Sequence, residues 1–166
     1  MNKPAHAAIA LGGNIGDTQT IVETLEAAIK TLATTPGIVV ESQSSWYRTK
    51  AIGPTQPDYV NSCVVLKVTL SPVNLLTNLL KIEEKFGRVR TEHWGPRTLD
   101  LDLLLYDDII LNQFDLQIPH PRMHQRAFVL VPLAEIAGNW LYPISQQLIK
   151  DLVLEVDISD VQLLQG

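Results

Sequence analysis

Cysteine is almost missing from this chain: Cys63 is the single one among 166 residues. That excludes a disulfide framework or a cysteine-based zinc site within one chain. Its apolar setting, SCVVLKV, makes Cys63 a core residue. Long hydrophobic runs are lacking too. Nothing approaches the roughly 20 apolar residues of a membrane span, so no membrane partner is expected. The N-terminal AHAAIAL is broken by a histidine and runs straight into LGGNIGD without a plausible cleavage site, so it is not read as a signal peptide and a cytoplasmic location is expected. Positive charge is in short supply, with 13 Lys and Arg against 18 Asp and Glu and a formal net charge of -5. This balance argues against general nucleic-acid binding. Low-complexity segments and internal repeats are absent. With 46% hydrophobic and 19% charged residues, the composition is that of a globular protein, and the length fits one domain over residues 1–166 with a core of its own.

The apolar pattern divides the chain into elements. Ala5 to Leu11 reads as a strand ended by Gly12, Gly13 and Asn14. A helix follows, capped by Asp17 or Thr20, with Ile21, Leu25, Ala28, Ile29 and Leu32 at helical spacing and Pro36-Gly37 as its stop. Ile38 to Arg48 alternates as one strand, residues 49–58 form a loop, and Tyr59 to Leu70 is the next strand. Ser71-Pro72 starts a second helix with the stripe Leu75, Leu79, Ile82 and Phe86, stopped at Gly87. Thr98 to Tyr106 is an apolar strand, and Asp107-Asp108 a turn into a short hairpin strand at Ile109 to Leu111. A brief strand at Leu116 to Ile118, a helix over Val129 to Ala137 and a last helix around Gln146 to Val153 complete the reading. The tail to Gly166 gives no signal. Strand, helix, strand, strand, helix, strand is the split βαβ order, so the expected fold is an α+β, ferredoxin-like sandwich with a mainly antiparallel sheet and C-terminal additions. Such an order hosts many functions and by itself decides none.

What is there in excess is local. Five of the six arginines fall between Arg88 and Arg126. Arg88, Arg90 and Arg97 lie in an aperiodic stretch beside Trp94, directly before LDLDLLLY. Asp100 and Asp102, two apart on a strand, project from one face while Leu99, Leu101 and Leu103 line the other. Carboxylates are costly to bury unpaired, so the pair calls for a cation, and magnesium takes one or two carboxylates together with phosphate oxygens and water. Guanidinium groups bind phosphate bidentately, which makes the combination suited to phosphoryl-type transfer. The plain alternative is a solvated strand face with arginines paired to Glu83, Glu84 and Glu92. Gly12-Gly13-Asn14-Ile15-Gly16 lacks the spacing and the Lys-Ser/Thr ending of a Walker motif.

RVRTEHWGPRTLDLDLLLY, ALGGNIGD, QPDYVN and IPHPRMHQRAFVLVPL, in this order over roughly residues 7 to 145, resemble the 6-hydroxymethyl-7,8-dihydropterin pyrophosphokinases of folate biosynthesis. The resemblance implies a ferredoxin-like α/β sandwich and transfer of pyrophosphate from ATP to the pterin's hydroxymethyl oxygen, with release of AMP. It implies that Asp100 and Asp102 hold two magnesium ions and that Arg88, Arg90 and Arg97 contact the phosphates, Arg90 and Trp94 on a closing loop. Glu83, His120 and Arg126 would be further ATP-binding positions. The pterin would be held by Asn61, by Tyr59 and Phe128 through stacking, and by the 49–53 loop, with Thr49 and Ile52 at the ring edge. The expected partners are ATP and 6-hydroxymethyl-7,8-dihydropterin, with no nucleic acid, and the expected state is a monomer.

Two positions depart from that family's pattern: His93 stands where a further arginine is common, and Lys50 where proline is common. Apart from the resemblance, Tyr59 and Phe128 read equally as core aromatics, and His120 as a cap of the following turn. Asn61 is a poor strand former and needs partners if buried. Gly12 and Asn14 read as shapers of the first turn. Other readings that the residues allow are a magnesium-dependent phosphoryl or nucleotidyl transferase with another acceptor, and a ferredoxin-like ligand-binding module without catalysis.

Overall fold

The computed structural model describes residues 3–50, 58–87 and 99–164. Strand β1 (Ala5–Gly13) leads into helix α1 (Thr18–Ala33), whose N-cap Asp17 accepts the Thr20 amide at 2.8 Å. Of the two caps open in the sequence, Asp17 is the one formed. Next come β2 (Ile38–Gln43), β3 (Tyr47–Thr49), β4 (Tyr59–Val68) and helix α2 (Pro72–Lys85), capped by Ser71 with proline at its start. Strand β5 (Asp100–Tyr106) follows, then β6 (Leu111–Asn112) and β7 (Gln117–Ile118), which pair with each other. Helix α3 (Ala127–Ala137), the β8 (Leu141–Tyr142) and β9 (Gln147–Leu148) pair, short helix α4 (Ile149–Leu152) and β10 (Val161–Leu163) end the described chain.

The central sheet runs β10-β3-β4-β1-β5, with β2 also on β4, and its pairings are antiparallel. This is the mixed, mainly antiparallel α/β arrangement expected, and the order of its strands follows from two long partners. Strand β1 lies in the centre, pairing β4 from Ala5↔Val68 to Gly13↔Val60 and β5 from Ala7↔Tyr106 to Gly12↔Asp100. One face is closed by α1 and α2 over Ile9, Leu11, Val60, Val64, Leu101 and Leu103. Part of the other is closed by α3 and the C-terminal elements over Ala8, Cys63, Val65, Leu104 and Leu105. A register shift between Ala8 and Ile9 puts one extra residue into β5. Leu104 and Leu105 consequently both join the α3 side, while the Leu104 carbonyl accepts the His120 amide at 3.0 Å.

Several expected boundaries move. Strand β1 continues through Gly12 and Gly13 instead of turning there. The single strand expected over Ile38 to Arg48 is two strands, both on β4, broken where the Ser44 hydroxyl bonds Ser62 Oγ and accepts the Cys63 amide. The Leu111 hairpin strand pairs with β7 and not back onto β5. The expected helix around Gln146 to Val153 shrinks to four residues, because Gln146 has φ +61° in the turn between β8 and β9. Helix α3 starts two residues earlier than its apolar pattern, and the tail contributes a strand.

Candidate active site

On the sheet face shared with α3, register sets the site residues side by side. Asn61 stands opposite Gly12 and Gly12 opposite Asp100; one row on, Cys63, Ala10 and Asp102 align in the same way. Strand β3 adds Tyr47 beside Asn61 and Thr49 beside Tyr59. Beside Asn61 and the aspartates the central strand contributes Ala10 and Gly12 to this face, so a trough runs between Asn61 and the two aspartates. Gly12 leaves room for Asn61: a Cβ would meet Asn61 Oδ1 at 2.7 Å and the Asn61 side chain would have to shift. Asp100 and Asp102 lie about 7 Å apart along the strand by its rise. Both are half-buried, whereas Leu99, Leu101 and Leu103 behind them are buried.

A cavity of about 560 Å³ opens over this trough. Its walls include Thr49, Tyr59, Asn61, Asp100, Asp102, Arg126 and Phe128, seven of the residues named from the sequence. Phe128 carries the Arg126 guanidinium over its ring at 5.6 Å, within the range of a cation–π contact. Arg126 is thereby held in the wall of this cavity. Lys50 is there as well. Asn61 Nδ2 and Thr49 Oγ1 are buried and have no hydrogen-bond partner among the described residues, an arrangement that costs free energy unless something else satisfies them.

A second depression of about 310 Å³ lies beside α2 and the β6–β7 turn. Glu83, Asp102 and His120 are in its wall. Asp102 therefore borders both cavities. Glu83 is 2% exposed, and its Oε2 accepts the Leu101 amide at 2.7 Å, so α2 holds the aspartate-bearing strand from the rear. Of the remaining residues named from the sequence, Arg88, Arg90, Trp94, Arg97 and Ile52 lie outside the described residues, as does His93.

Electrostatics follow from this packing. The Cys63 thiol is pushed well above its ordinary range by burial, with the charges of Asp102 and Glu135 acting in the same direction. It stays a protonated floor group, its Sγ 3.7 Å from the Val129 carbonyl. Burial holds the His120 imidazole below its ordinary value, opposed by Asp102 and aided by Arg126 and Arg122. Tyr47 is raised to about 12, first by burial and then by its hydroxyl's 2.6 Å bond to Glu135, which ties α3 to β3.

The Asp102 carboxylate makes no side-chain hydrogen bond or ion pair among the described residues, and no group of three His, Cys, Asp or Glu gathers there among them. Two carboxylates on this face fit magnesium, which completes its octahedron with phosphate and water oxygens; among the described residues a protein cage of six or more oxygens, as for calcium, is not built. The sequence did not reveal the roles of Ala10 and Gly12 as cavity floor, nor those of Asp157, Asp160 and Val161, which the C-terminal segment adds to the wall. The small residues could have been found from the alternation in AHAAIALGG. The tail offered no local signal.

Residues 8–138 match the model of the 7,8-dihydro-6-hydroxymethylpterin-pyrophosphokinase (HPPK) family. The chain is 56% identical over 155 residues to a 2-amino-4-hydroxy-6-hydroxymethyldihydropteridine pyrophosphokinase of Synechocystis sp., covering 93% of this chain and 78% of that protein. It is 47% identical over 148 residues to the protein of the same name in Haemophilus influenzae, covering 89% and 90%. Among solved structures, wild-type Plasmodium falciparum HPPK-DHPS matches with a TM-score of 0.72 at 16% identity, over 93% of this chain and 41% of that longer one. That likeness is one of fold, and it agrees with the ferredoxin-like α/β order. With a family model spanning most of its length and relatives near half-identical throughout, the chain belongs to the 7,8-dihydro-6-hydroxymethylpterin-pyrophosphokinase family.

Proposed function

We propose that this chain transfers pyrophosphate from ATP to the hydroxymethyl oxygen of 6-hydroxymethyl-7,8-dihydropterin, a step of folate biosynthesis. The oxygen forms a bond to the β-phosphorus of ATP while the bond from that phosphorus to the α-phosphate oxygen breaks, leaving AMP. The observation that carries this reading is the position of Asp102 in the walls of two cavities, one suited to each substrate.

The larger cavity takes the pterin. Its buried donor Asn61 Nδ2 and the Thr49 hydroxyl meet the polar edge of the heterocycle, and Tyr59 and Phe128 flank its faces, with the 49–53 loop and Ile52 completing the edge. Stacking and a few placed polar groups are what a flat ligand needs. ATP takes the smaller cavity, by Glu83 and His120, with its phosphates directed at the aspartate face. Arg126, held on Phe128, faces the transferred group from the pterin side, and the start of α3 beside it adds its partial positive charge. Arg88, Arg90 and Arg97 neutralise the remaining phosphate charge, and Trp94 closes over it. Asp100 and Asp102 hold two magnesium ions, which when bound neutralise charge on the transferred group and on departing AMP. Within this reading residues 1–166 are one domain, acting as a cytoplasmic monomer.

Incubation with ATP, magnesium and 6-hydroxymethyl-7,8-dihydropterin tests the reaction. AMP formed one for one with the pterin diphosphate supports it. ADP in place of AMP means ordinary kinase chemistry, and absence of turnover leaves a binding module. Manganese titration in the presence of α,β-methylene-ATP, followed by electron paramagnetic resonance, counts the ions; a plateau at one refutes the pair.

A further inference from the structure

The turn between β6 and β7 carries a feature that the pterin and phosphate roles do not absorb. Phe114 is completely exposed, at 106% of the reference value, on a turn closed by Gln113 N–H to the Leu116 carbonyl at 3.0 Å and the Leu116 amide to the Gln113 carbonyl at 3.4 Å. Phe114 is among the residues lining the smaller cavity, with Leu76, Leu80 and Leu116. A bare phenyl ring on a closed turn is an unfavourable surface, since exposing it forgoes the hydrophobic gain of an aromatic side chain. Nothing in the described fold covers it.

We propose that Phe114 is a specificity residue for the nucleotide's base: its ring stacks on the purine when ATP enters the smaller cavity, whose leucines form the opposite, apolar wall. This rests on the assignment of ATP to that cavity. Three observations converge on a base and not on phosphate. The ring is the one phenyl among the cavity's described lining residues. Its chain neighbour Asp115, also in the wall, would repel a phosphate but can accept a hydrogen bond from an amino or ribose hydroxyl group. The turn's paired backbone bonds fix the direction in which the Phe114 side chain leaves the chain, so only its two side-chain torsions have to be ordered on binding. Stacking on an aromatic tolerates any purine, so Phe114 sets affinity for a base as such, and discrimination among purines is left to the polar groups around it.

The test is calorimetric titration of wild type, Phe114→Ala and Phe114→Trp with magnesium α,β-methylene-ATP and, separately, with magnesium tripolyphosphate, which has no base. Because the side chain is fully exposed, the variants keep the fold, and circular dichroism checks it. The expected result is nucleotide affinity about five- to thirtyfold weaker in Phe114→Ala, the low end of base–aromatic stacking, regained in Phe114→Trp, with tripolyphosphate affinity unchanged. Equal nucleotide affinity in wild type and Phe114→Ala, or an equal loss for tripolyphosphate, overturns the role of Phe114 while leaving the ATP assignment standing. Wild type that binds neither compound overturns the ATP assignment and this inference with it.

Discussion

The two faces of the central sheet are built from the same strands, yet one is a continuous apolar core and the other is half core and half cavity. Along β1 the residues alternate between them. Ile9 and Leu11 go to the α1–α2 side, buried under Leu25, Leu75 and Leu79, while Ala8, Ala10 and Gly12 go to the other. Bulk on one side and its absence on the other come from a single alternating stretch. Where α3 covers the second face the floor is Cys63 and Val65; beyond the start of α3 it is Asn61, Asp100 and Asp102. The difference teaches that the floor of the site is a part of the sheet that the described helices leave uncovered. The stability of the covered face allows the uncovered one to keep Asn61 Nδ2 and Thr49 Oγ1 without a hydrogen-bond partner among the described residues.

Substitutions on opposite sides should separate activity from stability. Asp102→Asn lies on the open face and removes charge without removing bulk. Turnover measured as AMP release should fall by about a hundred- to a thousandfold, the scale of losing a preorganised charge-stabilising group, with the melting temperature unchanged or higher. A fall under tenfold would sink the metal assignment. Leu11→Ala, on the closed face, should cost about 2–5 kcal/mol in urea unfolding, as a large-to-small change in a packed core does; kcat of the folded enzyme should stay near normal. Its neighbour Gly12→Ala belongs to the other face again. The added Cβ drives against Asn61 Oδ1, at about 1–3 kcal/mol of overpacking. Displacement of Asn61 should raise KM for the pterin and leave KM for ATP unchanged. If the two Michaelis constants rise together, Gly12 is not part of the acceptor floor alone.

The closed face was easier to read than the open one, for physical reasons. Periodic apolar residues such as Leu75, Leu79 and Ile82, or Leu99, Leu101 and Leu103, carry local information about which side is buried, and Asp100 and Asp102 stood out against that pattern. Gly12 did not. Glycine usually marks a turn, and its place inside β1 depends on Asn61 of another strand filling the space a side chain would take. Ser44 likewise breaks the β2–β3 run through a bond to Ser62, a tertiary partner. The helix expected around Gln146 failed because the Gln146 amide instead reaches the Tyr142 carbonyl and its side chain the Pro143 carbonyl. Strand β10 has its partner in β3, far away in the chain, and nothing in VQL announces it. The family resemblance named Arg126 for ATP, and its stacking on Phe128 in the wall of the larger cavity is a tertiary arrangement that no local pattern announces.

Removal of the tail tests a smaller part of the same contrast. A chain ending at Glu155 loses Asp157, Asp160 and Val161 from the open cavity, and with them the Val161↔Thr49 pairing that flanks it. The core under α1 and α2 loses only the partly buried Leu164 at its edge. Unfolding should therefore change little, while KM for the pterin should rise by about tenfold, the equivalent of 1.4 kcal/mol. Unaltered KM would make β10 a cover without a part in the acceptor site.

The least of the expected effects is a pH dependence at the border of the smaller cavity. His120 is held below its ordinary value of 6.5, chiefly by burial. In the unfolded chain it takes up a proton as the pH falls through that value; in the folded protein it does so only at lower pH. Between the two values the unfolded state binds more protons, so stability rises with pH and is lost on acidification. Above the ordinary value both states are neutral and the residue contributes no slope. His120→Gln should remove this part, so that the drop in urea midpoint between pH 8 and pH 5.5 is smaller in the variant than in wild type. The other three histidines are present in both proteins and cancel in the comparison. An equal or steeper drop in the variant would show that the neutral imidazole is not the form the fold selects, and that Asp102 outweighs burial at this position.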